Sequence, residues 1–97
     1  MGEKAKSEDS PRQMKITFSE LALPGNVNEG IDFLVSNHQI SVSYANILTL
    51  NACAALKGWG GDQNRTIIVI LGEKFDVHAF FGVLGGKATV ERFEFIP

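Results

Sequence analysis

The sequence predicts an α/β domain: a small four-stranded sheet, mixed or largely parallel, with about three short helices in the order β-α-β-α-β-α-β. Three observations lead there. Strand-like and helix-like apolar patterns alternate from Met14 onward, and such alternation implies crossover connections that pack helices on a sheet, on one face or both. The chain has 97 residues, 44% of them apolar, which is enough for one core and not for a second. Glycine and proline fall between the patterned segments, at Pro24-Gly25, Lys57-Gly58 and Gly85-Gly86, where turns and helix stops are needed.

Residues 1–13 stand apart. Lys4, Lys6 and Arg12 offset Glu3, Glu8 and Asp9, and no Leu, Ile, Val or aromatic residue occurs there. Such a segment buries too little to offset its chain entropy, so a disordered tail is expected, followed by one folded domain over residues 14–97. Ile16, Phe18, Leu21 and Leu23 mark a first extended stretch, which Pro24-Gly25 stops. Asn28 is then placed to cap a short helix whose apolar face is Ile31, Leu34 and Val35. Ile40, Val42 and Tyr44 alternate with Gln39, Ser41 and Ser43, the period of a half-buried strand. Ala45-Asn46 reads as a bend before Ile47–Leu50 resumes the extended path.

A short helix over Ala52–Leu56 comes next and stops at Lys57-Gly58. Gly58–Asn64 is a polar loop. Ile67–Leu71 is an unbroken apolar run, the pattern of a central strand covered on both faces. Asp76 caps the clearest amphipathic helix, with Val77, Phe80, Phe81 and Leu84 on one side and Gly85-Gly86 at its end. Thr89–Ile96 is the last strand, and as an edge strand it is a candidate for pairing with another copy.

Nine basic against eleven acidic residues give a net charge of −2, which argues against a nucleic-acid face and a polybasic membrane anchor. No apolar run reaches the roughly 18 residues that span a bilayer, so no membrane insertion is expected. No hydrophobic stretch opens the chain, so a secretory leader is not expected and the location expected is cytoplasmic. The single cysteine excludes an intramolecular disulfide and a cysteine-built zinc site.

Catalytic constellations are thin. Asp76 and His78 are two apart on a helix and point different ways, which does not make a dyad. The other histidine, His38, falls at a helix end. Cys53 is either a first-turn thiol activated by a helix terminus or a small core residue, and its alanine neighbours favour the core. The GWGGDQN loop has neither phosphate-binding glycine spacing, so no cofactor is implied. Trp59 within it is either folded back on the core or exposed as a contact residue. Asn64-Arg65-Thr66 forms a glycosylation sequon that has no force without secretion.

LALPGNVN (Leu21–Asn28) resembles the strand-and-turn signature L-x-L-x-G-x-(apolar)-D that opens STAS domains, the domains of anti-sigma factor antagonists and related regulators. ISVSYANILTLNACAAL (Ile40–Leu56) is similar to their second signature, in which a strand leads through a bend to an aspartate, a Ser/Thr and a short helix. On that alignment Asn51 stands for the aspartate and Ala52 for the phosphorylatable hydroxyl residue. Asn28 likewise replaces an acidic residue. The resemblance therefore implies a STAS-like docking surface without the phosphorylation switch.

These readings converge on a non-enzymatic protein-interaction module in a regulatory or complex-assembly role. Its expected partner surface is Gly25, Asn26 and Asn28 together with Asn51, Ala52 and Cys53, extended by Trp59 if that ring is exposed. Free N–H groups at the start of the middle helix would suit an acidic or phosphorylated group on a partner, although helix capping explains Asn28 and Asn51 equally well. The rivals are an inhibitor or immunity-type protein that covers another protein's surface, and a small ligand-binding protein or enzyme using Cys53.

Overall fold

The computed structural model describes residues 12–85 and 89–96. Residues 1–11, most of the expected tail, lie outside the described residues, as do Gly86 of the expected helix stop and Pro97. The elements are β1 (Gln13–Phe18), α1 (Pro24–Ser36), β2 (Ile40–Val42), α2 (Tyr44–Leu56), a 3-10 turn over Asp62–Arg65, β3 (Thr66–Leu71), α3 (Val77–Leu84) and β4 (Val90–Ile96). β1 already includes Gln13, the last residue assigned to the tail.

The sheet has the order β2-β3-β1-β4, and every neighbouring pair is antiparallel. This corrects the expected largely parallel sheet. β1 and β2 do run in the same direction across α1, and β3 and β4 do so across α3, as the alternation implied. The two crossovers interleave, however: β3 fills the gap between β1 and β2, and β1 fills the gap between β3 and β4. This is the split β-α-β plan with α2 as an additional helix between the second and third strands. Alternating patterns fix the order of elements along the chain, not which strands become neighbours.

All three helices pack on one face. Met14, Ile16 and Phe18 of β1 and Ile67, Val69 and Leu71 of β3 point to that face and are buried. On the other face Lys15, Ile68 and Ile70 are exposed, so β3 is an interior strand covered on one side only. The unbroken apolar run misled because β-branched residues suit a pleated strand on either face.

The helix boundaries also shift, each for a local reason. β1 stops at Phe18, and α1 starts at Pro24, whose fixed φ and missing N–H suit a first helical position. Asn28 therefore lies inside α1 and does not cap it. The buried face becomes Val27, Gly30, Ile31 and Leu34, which turns Val35 outward. α2 begins at Tyr44, not after Asn51: the Ser43 hydroxyl accepts from the Asn46 N–H at 3.2 Å and caps it. Tyr44 and Ile47–Leu50 are thus helical, and the expected bend at Ala45-Asn46 is the helix's first turn. α3 keeps its expected cap, with the Asp76 carboxylate accepting from the Ala79 N–H at 3.0 Å.

α1 and α2 end alike. His38 (φ 62°) and Lys57 (φ 61°) adopt the left-handed conformation. His38 N–H donates to the Val35 carbonyl and Gln39 N–H to Leu34, while Lys57 and Gly58 donate to Ala54 and Cys53. Both are Schellman closures built on residues other than glycine. Two glycines mark close approaches. A Cβ on Gly72 would lie 2.4 Å from the His38 carbonyl oxygen, and one on Gly30 would lie 3.0 Å from Leu84, where α1 crosses α3.

Candidate docking surface

α2 is a helix of 13 residues, YANILTLNACAAL, without a single charge. Its inner side is ordinary core: Leu50 and Cys53 are buried and Ile47 is packed against the buried cluster. Its outer side is not ordinary surface. Tyr44, Leu48, Ala52, Ala55 and Leu56 recur at helical spacing and are all exposed, with Tyr44 at 76%, Leu48 at 49% and Leu56 at 77%. Single exposed apolar residues are common, whereas a row along one helix forms a patch.

The patch is held by polar contacts along its rim. Asn28 Nδ2 donates to Asn51 Oδ1 at 2.9 Å, joining α1 to the middle of α2. At the far end of α2 the Trp59 ring stacks on Phe18, centroids 5.9 Å apart and planes 5° from parallel, and its Nε1 donates to the Ala22 carbonyl at 3.0 Å. Asn64 Nδ2 and Cys53 Sγ both donate to the Trp59 carbonyl, at 2.6 and 3.4 Å. Ala22 is thereby tied to the loop that follows α2; its neighbours Leu21 and Leu23 are exposed, and Leu21 lines an open depression with Arg65 and Glu91.

The expected partner residues divide into two groups. Asn28 of α1 is brought to Asn51 of α2, whereas Asn26, two residues away on the same helix, falls on another side of it; Asn26, Asn51 and Ala52 are exposed, and Gly25 and Asn28 half-buried. Cys53 and Trp59 are core residues and leave the surface, which resolves the two readings of Trp59 in favour of the folded-back ring. Asn51, Ala52 and Cys53 also lie two turns inside α2, where the N–H groups are taken up by the helix's own bonds. No anion-binding helix start exists at that place. The residues that sequence reasoning missed are Tyr44, Leu48, Ala55 and Leu56. Their signal was available as a charge-free stretch at helical spacing, and it was hidden by reading Ile40–Leu50 as extended.

No protein-family model, curated protein or solved structure matches this chain. What the surface can do therefore rests on its own chemistry. Burial raises the Cys53 thiol above its ordinary value and keeps it in the neutral, unreactive form. Cys53 lines neither the open depression of about 510 Å³ beside Arg65 nor the one of about 710 Å³ beside His38. Arg65 is itself engaged: Nη1 donates to the Phe18 carbonyl and, at 3.0 Å, to Glu91 Oε1, a bond that raises the guanidinium's pKa further. It ties the 3-10 turn to the ends of β1 and β4. His38 and His78 are both exposed. Among the described residues no three His, Cys, Asp or Glu side chains are grouped to hold a metal ion, and no helix is long and apolar enough to cross a membrane.

Proposed function

We propose that this chain is a non-enzymatic protein-interaction module that docks another protein on the outer face of α2. The observation that carries the reading is the charge-free helix with Tyr44, Leu48 and Leu56 exposed in one row. The Asn28–Asn51 pair supplies a polar rim beside that row. An apolar centre with a polar rim is the usual anatomy of a protein interface, and tyrosine is enriched among its energetic anchors. The open face of the sheet is a poorer candidate, because Lys15, Arg92 and Glu94 interrupt its isoleucines. The segments that resemble STAS signatures are built differently here, with Pro24–Asn28 inside α1 and Asn51 inside α2, so the reading rests on the α2 surface alone. The partner is a protein that presents a complementary apolar patch, not a phosphorylated or acidic group.

Capture from a lysate of the source tests the reading when variants are compared side by side. The tagged full chain, Leu48→Asp and the opposite-face control Lys15→Glu are each used as bait. A species recovered by the wild type and by Lys15→Glu, and reduced at least about tenfold by Leu48→Asp, supports the proposal; that loss corresponds to about 1.4 kcal/mol of binding. Equal recovery by all three sinks it.

A further inference from the structure

We propose that β4 pairs antiparallel with β4 of a second copy, joining two sheets into one continuous sheet about a two-fold axis centred on Phe93. The inference is independent of the α2 surface. The two edges of the sheet differ. β2 spans 3 residues, whereas β4 spans 7 and contains neither lysine nor proline; its charges are of both signs, and its bulge lies at the Val90 end, outside the stretch from Arg92 to Phe95. Among the described residues no strand pairs with the outer side of β4.

The register is set by side-chain chemistry. Phe95 lies opposite Met14 and Phe93 opposite Ile16, so both rings are on the helix-bearing face. Phe93 is 43% exposed and Phe95 48%, because the helices do not cover this edge. The ring of Phe93 lies 4.8 Å from Phe81 and 5.9 Å from Phe95. Arg92 and Glu94 lie opposite Thr17 and Lys15, on the open face.

A two-fold axis perpendicular to the sheet must place one residue opposite itself. Centring on Arg92 or on Glu94 sets like charges against each other, which disfavours the pairing. Centring on Phe93 sets Arg92 opposite Glu94 of the second copy, twice by symmetry, and places the Phe93 rings side by side on the apolar face. The matched ladder runs over Glu91–Phe95, ending where the β1–β4 register shifts. Among the described residues Arg92 pairs with the exposed Glu91 alone, at 3.5 Å, and Glu94 stands across from Lys15.

Equilibrium sedimentation of the full chain, from micromolar to millimolar protein, tests the pairing. The wild type should pass from monomer to dimer as concentration rises. Arg92→Glu and Glu94→Arg, each checked for folding by circular dichroism, should weaken the dimer at least about fivefold. The double exchange, Arg92→Glu with Glu94→Arg, should restore it, since it rebuilds both cross-copy pairs. A wild type that stays monomeric overturns the proposal. So does a dimer that the single variants leave intact, or one that the double exchange of a folded chain does not recover.

Discussion

Asn28 Nδ2 donates to Asn51 Oδ1 at 2.9 Å, and this bond joins α1 to α2 beside the exposed apolar row. Neither asparagine caps a helix. Both serve as an inter-helix contact between residues 23 apart in the chain. Asn51→Ala should lower stability by about 0.5–1.5 kcal/mol, the usual net worth of one hydrogen bond, read as a lower urea midpoint with an unchanged slope.

Trp59 does two jobs that substitution can separate. Trp59→Phe keeps a ring against Phe18 but leaves the Ala22 carbonyl without its donor. The expected loss is about 1–3 kcal/mol. Trp59→Ala also empties the ring's place in the core and should cost about 3–5 kcal/mol. Chemical denaturation followed by circular dichroism checks both, and a smaller loss for alanine than for phenylalanine would contradict the packing described.

His38 and Lys57 hold left-handed conformations that carry a steric penalty for residues with a Cβ. His38→Gly and Lys57→Gly should therefore each stabilise the protein, by about 1 kcal/mol or somewhat less after the entropy of glycine is counted. Thermal unfolding reads the sign directly. A drop in midpoint for both variants would mean that the closures of α1 and α2 are not strained.

Cys53 is buried and its pKa is raised by desolvation above the ordinary thiol value of 9.0. The unfolded chain thus loses the thiol proton first as pH rises. Between the ordinary value and the raised one the native state binds more protons, so this group's contribution to stability is complete below pH 9.0 and declines above it. A Cys53→Ala variant should show a shallower alkaline decline than the wild type. A thiol reagent at neutral pH should modify native Cys53 far more slowly than the urea-unfolded chain.

The order of strands and helices was legible in the sequence because period-2 and period-3.6 patterns are local. The cap at Asp76 and the stop at Lys57-Gly58 were legible for the same reason. Strand adjacency was not, since nothing local records that β3 slides between β1 and β2. The start of α2 was obscured by competition over a few residues. Ile40 to Tyr44 alternates as a strand does, but Ser43 caps a helix and ends the extended path after Val42. That one boundary moved Asn51 from a helix start to a helix interior. It also revealed Tyr44 and Leu48 as surface. Trp59 was undecided from sequence because the loop that carries it is fastened by Ala22, 37 residues earlier.

The most direct measurement of the docking face places a photo-crosslinking amino acid at position 48 in the full chain, and separately at position 15 on the opposite face. After illumination in source lysate, position 48 should yield a discrete crosslinked protein that Tyr44→Asp reduces at least about tenfold, while position 15 yields none. Discrete crosslinks from position 15 alone, with position 48 silent, would contradict the account and assign recognition to the sheet.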